Sequence, residues 1–183
     1  MSISNDNMNA LMAFEAIARE YCGFIEDLPG CPVADRYAKL EGLLARLHSH
    51  ILTADTEMSR GKDRDFEKLR VPTDTRMQLG GKLFEILNPD CSKLSEWHRN
   101  LCDDEEIGCE YEYPAARAVS LWDDLADIFC ELHYGLALWG LGTPDGQAEA
   151  AWQWRWSFES HWGSHLFRAM STIHELRYEL YQG

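Results

Sequence analysis

Two histidines near the end of the chain have a spacing that suits metal ligands on a helix. His161 and His165 are four residues apart, so both imidazoles lie on one flank of a helix. An earlier segment carries Asp123 and Asp127 at the same spacing. If the two segments form a tight helical hairpin, the carboxylates and imidazoles lie at the same height. The four side chains are therefore candidate ligands of a divalent metal ion.

The helical wheel supports a second interpretation, in which no metal or other cofactor is bound. Asp123 and Asp127 lie about 160° from the apolar seam of their own helix and so point away from the bundle. An acidic outer face of this kind is usually solvated. The histidine pair also lacks the adjacent glutamate of the zinc-protease motif, which makes it a weak signal alone. Both interpretations stay open at this point.

A charged pair interrupts the most aromatic part of the chain. Four of the seven tryptophans fall between Trp152 and Trp162, and Arg155 and Glu159 lie among them, four residues apart. With Leu166 at the centre of the buried face, the wheel places both charges within about 40° of that face. A buried charge is costly unless it is paired. The pair is therefore either a structural bridge or, together with Trp162, the floor of a pocket that binds a small charged ligand.

Other templates for catalysis or cofactor binding are missing from the sequence. It contains no GxxxxGK[ST] phosphate loop, no GxGxxG after a strand and no GxSxG nucleophile motif. Its six cysteines form no CxxC pair, which argues against zinc-ribbon and thioredoxin-like sites. We expect all six cysteines to be reduced.

Apolar residues recur at steps of three and four, which predicts an all-α protein. The predicted helices cover residues 7–28, 33–54, 75–87, 116–139 and 148–180. The third is short because Asn88 and Pro89 stop it, and residues 91–114 are predicted to form a long, irregular, acidic loop with room for a short helix at 94–101. Four long helices in series predict an up-and-down antiparallel four-helix bundle, with one additional short helix, in a single domain of 183 residues.

Composition limits the classes of partner. The chain has 17 basic and 31 acidic residues, a formal net charge of −14, and such a surface repels nucleic acid and anionic lipid. No stretch approaches the roughly 20 apolar residues of a membrane span, and the first residues lack the pattern of a signal peptide. We therefore expect a cytoplasmic protein that binds neither nucleic acid nor membranes.

Two runs of the sequence resemble a bacterial family of uncharacterised proteins, domain of unknown function 5063. The run at residues 121–139 contains Asp-Asp-Leu-Ala-Asp-Ile, and the run at residues 152–176 contains His-Trp-Gly-Ser-His. The resemblance implies an all-helical bundle of bacterial, cytoplasmic type, and it implies no activity. The same two runs carry the four candidate metal ligands, which favours one shared site.

Two functions of different classes fit this sequence. The favoured one is a non-enzymatic binding or protein-interaction module, whose acidic surface meets a protein partner or a second copy in a homodimer. The alternative is an enzyme that depends on a metal through the histidine–aspartate cluster, or that anchors a small anionic substrate on Arg155 and Glu159. An exposed tryptophan patch of a few hundred Å² would favour the module. Histidine nitrogens more than about 5 Å from every carboxylate would exclude the metal site.

Overall fold

The computed structural model describes residues 5–53, 64–102 and 121–182, and every regular element in these ranges is helical. The all-α class predicted from the apolar spacing is confirmed. The α-helices are α1 (Asn5–Glu26), α2 (Val33–Ile51), α3 (Thr73–Cys102), α4 (Leu121–Trp139), α5 (Pro144–Ser157) and α6 (Gly163–Gln182). A π-helical turn, Phe158–Trp162, joins α5 to α6, and two 3₁₀ turns span Leu28–Gly30 and Arg64–Leu69. None of the described helices is apolar over enough of its length to cross a bilayer.

Helix α4 packs against four of the other five helices. It contacts α1, α3, α5 and α6, while α2 packs against α1 and α6. One hydrophobic cluster takes buried side chains from every helix, among them Phe14, Leu44, Leu83, Leu125, Trp154 and Leu166. Because α4 has neighbours on several sides, its polar residues as well as its apolar ones face other helices. This position decides where the candidate ligands point.

The turn from α4 to α5 forms as the sequence predicts. Gly142 has a φ of 66°, a left-handed conformation that glycine adopts without strain. Thr143 caps α5, because its Oγ1 accepts a hydrogen bond from the N–H of Gly146 at 3.1 Å. Further along, a Cβ atom at Gly135 would lie 1.9 Å from Nε1 of Trp154. Gly135 therefore allows the indole of α5 to pack directly against the backbone of α4.

The prediction that helix 75–87 is short and ends before Pro89 was wrong. Helix α3 is 30 residues long and continues through Pro89 to Cys102, so residues 91–102 are helical instead of irregular. Contacts from α2 hold the chain on both sides of the proline. Arg36 donates a hydrogen bond to the carbonyl of Ile86, and the hydroxyl of Tyr37 donates one to Asp90 at 2.8 Å. Such tertiary contacts outweigh the local preference of proline to end a helix.

The prediction of one continuous helix over 148–180 was also wrong, because the π turn divides it. A π turn adds a residue to the helical register, so a wheel centred on Leu166 misplaces the residues before the turn. Trp154 is fully buried, whereas Trp152 is only half-buried and Glu159 is exposed. Gly163 permits the turn, since a Cβ atom there would lie 2.4 Å from the carbonyl oxygen of Phe158.

Some predictions lie partly outside the described residues. These are the acidic loop beyond residue 102 and the start of the predicted helix at 116–120. The up-and-down antiparallel order of four long helices stays a prediction.

Candidate functional site

Four acidic residues of α4 lie where this helix packs against α3, α6 and the π turn. Asp123, Asp124, Asp127 and Glu131 belong to the first three turns of α4, and α4 packs against α6 and the π turn. His161 lies in the π turn, and His165 and Arg168 lie in the first two turns of α6. The two helices thus bring carboxylates and imidazoles together.

His165 lies between two aspartates of α4. Its Nδ1 is 2.7 Å from Oδ1 of Asp124, and its Nε2 is 3.6 Å from Oδ2 of Asp127. Arg168 donates two hydrogen bonds to the same Asp124 oxygen, at 2.6 and 3.1 Å, and its Nη2 is also 2.7 Å from Nδ1 of His165. A guanidinium can only donate, and a carboxylate can only accept. Nδ1 of His165 can therefore accept from Arg168 or donate to Asp124, but not both. Because Arg168 already donates twice to Asp124, we assign the Nδ1 proton of the neutral imidazole to the bond with Asp124, and this tautomer has its lone pair on Nε2.

Asp124 is the most buried carboxylate of the cluster, with 1 % of its surface exposed. Its Oδ1 accepts from His165 and Arg168, whereas its Oδ2 is buried and has no hydrogen-bond partner among the described residues. A buried carboxylate is tolerated when cations and donors compensate its charge. Asp124 therefore fixes the ring of His165 and is itself held by Arg168.

His161 is held by a second carboxylate. Its Nδ1 lies 3.1 Å from Oε1 of Glu131, and the other oxygen of Glu131 accepts a hydrogen bond from Nε2 of Gln153 at 3.0 Å. Gln153 is buried, so it fixes the position of Glu131, while His161 itself is exposed. The two histidine rings meet edge to face, with their centroids 4.8 Å apart.

Arg76 of α3 covers the aspartates at the other end of the cluster. Its Nε donates to Oδ1 of Asp127 at 2.7 Å, and its Nη2 donates to Oδ1 of Asp123 at 2.8 Å. The hydrogen bond to Asp127 is the main cause that raises the pKa of Arg76 above its usual value. Asp123 is therefore engaged by Arg76 and lies outside the group that faces the histidines.

Three side chains meet closely enough to hold one ion. Asp127, His161 and His165 each offer a ligand atom, and these atoms lie within 4.8 Å of one another. The structure thus brings together three of the four predicted metal ligands, and Asp123 is the exception. The wheel-based expectation that Asp127 points away from the bundle was wrong, because α4 has neighbours on several sides and the π turn rotates His161 relative to α5.

Comparison with known proteins places the chain in a family. The model of the family described as domain of unknown function 5063 matches residues 5–179. The chain belongs to this family. The match covers nearly the whole chain, whereas the sequence motifs that suggested it lie in the last third.

A solved structure shares the fold of this family member. The crystal structure of protein BF1032 from Bacteroides fragilis, a structural-genomics target, superposes with a TM-score of 0.71 at 18 % sequence identity. The alignment covers 92 % of this chain and 95 % of that one. A comparison with curated proteins found no match.

Arg155 and Glu159, the charged pair among the tryptophans, bond to each other within about one helical turn. Nε of Arg155 donates to Oε1 of Glu159 at 2.7 Å, and its Nη1 donates to the carbonyl of Ile51 at 3.0 Å. Trp162 is fully buried and donates its indole N–H to the carbonyl of Trp154. The structure therefore leaves Trp162 no surface that a ligand could touch, and the arrangement matches the structural bridge. The wheel was wrong to bury Glu159, which is exposed.

The candidate ligands drawn from the sequence left out four residues that hold the cluster together, namely Arg76, Asp124, Glu131 and Arg168. Asp124 and Glu131 carried a usable signal, since they flank Asp127 within one turn in each direction on the same helix. Arg168 is three residues after His165 and thus shares its flank. Arg76 carried no signal, because its contact depends on how α3 packs on α4.

Proposed function

We propose that this protein binds a divalent transition-metal ion through Asp127, His161 and His165. The observation that carries the proposal is the convergence of three ligand atoms within 4.8 Å from two different helical segments. Two imidazoles and one carboxylate suit zinc, iron, nickel or manganese better than magnesium or calcium, which prefer oxygen ligands. We retain the sequence-based expectation of a cytoplasmic bacterial protein with an up-and-down arrangement of its long helices.

The partners of the three ligands support this proposal. Metal-binding histidines usually donate the N–H of their other nitrogen to a carboxylate, which fixes the tautomer and orients the ring. Here Asp124 faces Nδ1 of His165 and Glu131 faces Nδ1 of His161, so both Nε2 atoms remain for a metal. Arg76 holds Oδ1 of Asp127 and leaves Oδ2 on the side of His165.

The charges of the cluster also fit a divalent cation. Four carboxylates (Asp123, Asp124, Asp127 and Glu131) meet two guanidiniums (Arg76 and Arg168), which leaves a net charge of −2 when both imidazoles are neutral. A divalent ion cancels this charge. The ligand atoms must first approach, since atoms bound to one tetrahedral ion at about 2.0–2.2 Å are about 3.3 Å apart. His161 is the most exposed ligand and is the one we expect to move.

The tryptophans give less support to the protein-interaction module. Trp154 and Trp162 are fully buried, and Trp122, Trp139 and Trp152 are half-buried. Of the six tryptophans whose side chains the structure describes, only Trp156 is exposed, and it stacks on Trp152 at 5.3 Å. Nδ1 of His161 and Nδ1 of His165, in contrast, lie 3.1 and 2.7 Å from carboxylate oxygens. The burial of the tryptophans counts against the module, and the short nitrogen–oxygen distances meet the condition set for the metal site.

Elemental analysis of protein purified without an affinity tag or chelator tests the proposal. We expect about one transition-metal ion per chain in the wild type and a loss of that ion in His161→Ala, His165→Ala and Asp127→Asn. His174→Ala is the matched control, because His174 is an exposed histidine of α6 outside the cluster. Circular dichroism would show that each variant is folded. Wild-type protein without metal, or metal retained in all three site variants, would contradict the proposal.

A further inference from the structure

Both arginines of the cluster lie behind the proposed ligands, away from the metal. Arg168 contacts Asp124 and the Nδ1 side of His165, whereas Nε2 of that ring faces Asp127. Arg76 contacts Oδ1 of Asp127, whereas Oδ2 faces His165. Each guanidinium therefore binds the far side of a ligand. Both side chains are partly exposed, at 40 % for Arg168 and 31 % for Arg76, but each guanidinium is paired with a carboxylate.

The groups left to face an incoming molecule are acidic or neutral. On α4 these are Asp123, Asp127 and Glu131, and on the π turn and α6 they are His161 and His165. Asp123 and His161 have the most exposed side chains of the set, at 37 % and 45 %. The chain as a whole has a formal net charge of −14. Without the ion, the four carboxylates of the cluster outweigh its two guanidiniums, so its net charge is negative.

The ion itself would keep open positions. Three protein ligands leave at least one coordination position for water or substrate, which is the pattern of catalytic and not of structural metal sites. The exposure of His161 places these positions on the solvent side of the cluster. With the metal bound, the charges of the cluster sum to zero, so an anion gains no net attraction from it.

We propose that the open positions of the metal take an uncharged or cationic substrate through a neutral donor, such as a carbonyl oxygen or an amine, and disfavour phosphate and carboxylate groups. This inference rests on the proposed metal site. It also reverses the sequence-based expectation of an anionic substrate. Anion-binding sites usually direct guanidinium groups at the ligand, and here both guanidiniums are occupied by carboxylates.

Cobalt(II) is the probe we would use, because its visible absorption reports changes in its ligands. Co²⁺-loaded protein would be titrated with imidazole, with inorganic phosphate and with acetate, and the same titrations would be made with aqueous Co²⁺. We expect the preference for imidazole over phosphate and over acetate to be at least about tenfold larger on the protein than on the free ion, because the surrounding carboxylates oppose the anions.

Two variants test how a carboxylate near the site affects phosphate binding while the metal stays bound. Asp123→Asn removes an exposed carboxylate that is not a ligand, and we expect it to raise phosphate affinity about threefold or more while the metal stays bound. Glu85→Gln is the control, since it removes an exposed carboxylate of α3 nine residues beyond Arg76. It should change phosphate affinity less than about 1.5-fold, since so distant an exposed charge is screened by salt.

The outcomes distinguish this inference from the metal site. If Co²⁺ binds with a stoichiometry of about one and phosphate or acetate is preferred as strongly as on the free ion, the inference on substrate charge is wrong and the metal site stands. If Asp123→Asn leaves phosphate affinity unchanged, the inference is likewise wrong. If no Co²⁺ binds, the proposed function fails and this inference fails with it.

Discussion

Two polar networks connect helices in this protein, and they differ in whether they leave metal-ligating atoms unused. The bridge between α2 and α3 consists of Arg36, Tyr37 and Asp90, whose side chains are almost fully buried. Arg36 donates to the carbonyls of Ile86 and Cys31, and Tyr37 donates to Asp90. The network contains no histidine and directs its charges at other protein groups. It has the features of a structural contact.

The proposed metal cluster, where α4 meets α6 and the π turn, uses the same kinds of contact but leaves metal-ligating atoms unused. Its outer members, Asp124 and Glu131, contact Nδ1 of the two imidazoles, and Nε2 of His165 lies 3.6 Å from Oδ2 of Asp127. Burial alone therefore does not separate a structural network from a candidate site. A candidate site differs from a structural network in that it contains titratable or metal-ligating atoms that are held in place but make no hydrogen bond within the network.

The largest effect is expected from breaking the structural bridge. Asp90→Ala leaves the buried hydroxyl of Tyr37 and the buried charge of Arg36 without their carboxylate, and we expect a loss of about 3 kcal/mol in the free energy of unfolding. Urea denaturation would measure it. Metal content should stay the same as in the wild type. A loss of metal with stability retained would assign Asp90 to the site instead.

The next largest effect concerns the π turn that carries His161. A Cβ atom at Gly163 would lie 2.4 Å from a backbone oxygen, so Gly163→Ala must disturb the turn. We expect a destabilisation of about 2 kcal/mol together with weaker metal binding, because such overpacking forces the backbone to shift. Gly81→Ala is the control, since a Cβ atom there meets nothing within 4 Å. It should stabilise α3 by about 0.5–1 kcal/mol.

A third change tests whether the outer carboxylates of the cluster support metal binding. Glu131→Gln keeps the shape of the side chain but removes the charged acceptor for His161. We expect metal affinity to fall about 10–100-fold with little change in stability, as is usual for carboxylates that orient a histidine ligand. Isothermal titration with Zn²⁺ would measure it, with Glu159→Gln as the exposed control. Unchanged affinity in Glu131→Gln would mean that His161 needs no orienting partner.

The thiol of Cys91, next to Asp90 of the bridge, predicts that the stability of the fold depends on pH. Burial, together with the charge of Asp90, raises the pKa of the Cys91 thiol from 9.0 to about 12. The unfolded chain therefore releases this proton at lower pH than the folded chain does, so Cys91 contributes stability below pH 9 that is lost as the pH rises toward 12. Cys91→Ala should destabilise the protein by about 1 kcal/mol at pH 8. Urea denaturation should show a smaller difference from the wild type at pH 10.5, and an equal or larger one would contradict the assignment.

The smallest effect is expected from the charged pair among the tryptophans. Glu159 is exposed and pairs with Arg155 four residues earlier on the same helical segment. Such pairs contribute about 0.3–0.5 kcal/mol, so Glu159→Ala should change the free energy of unfolding by no more than that. A change above about 1 kcal/mol would show that the pair has a larger role than its exposure indicates.

The sequence predicted what depends on local spacing. The apolar steps of three and four predicted the all-α class and the helices that correspond to α1, α2 and α4. The four-residue spacing of His161 and His165 also picked out two of the three residues that meet in the cluster. These features are set by residues close together in the chain, so a single sequence carries them.

Two of the failures depend on contacts between distant residues, and the third depends on a local backbone contact. Pro89 did not end α3, because Arg36 and Tyr37 of α2 hold the helix beside it. The wheel misplaced Asp127, because it assumed that α4 has one apolar seam and one outer face. Packing on several sides gives α4 no such outer face. The π turn was also invisible, since no composition rule marks it before the position of Gly163 against Phe158 is known.

The packing of Trp154 against Gly135 also has a consequence for the order of folding. Helices α4 and α5 are separated by only a short turn, so their contact closes a small loop and costs little chain entropy. The indole N–H of Trp154 donates to the carbonyl of Leu132, which fixes the register of the two helices. We expect this hairpin to form before α1 and α3 dock on it. Substitutions at Gly135 should therefore slow refolding more than they speed unfolding.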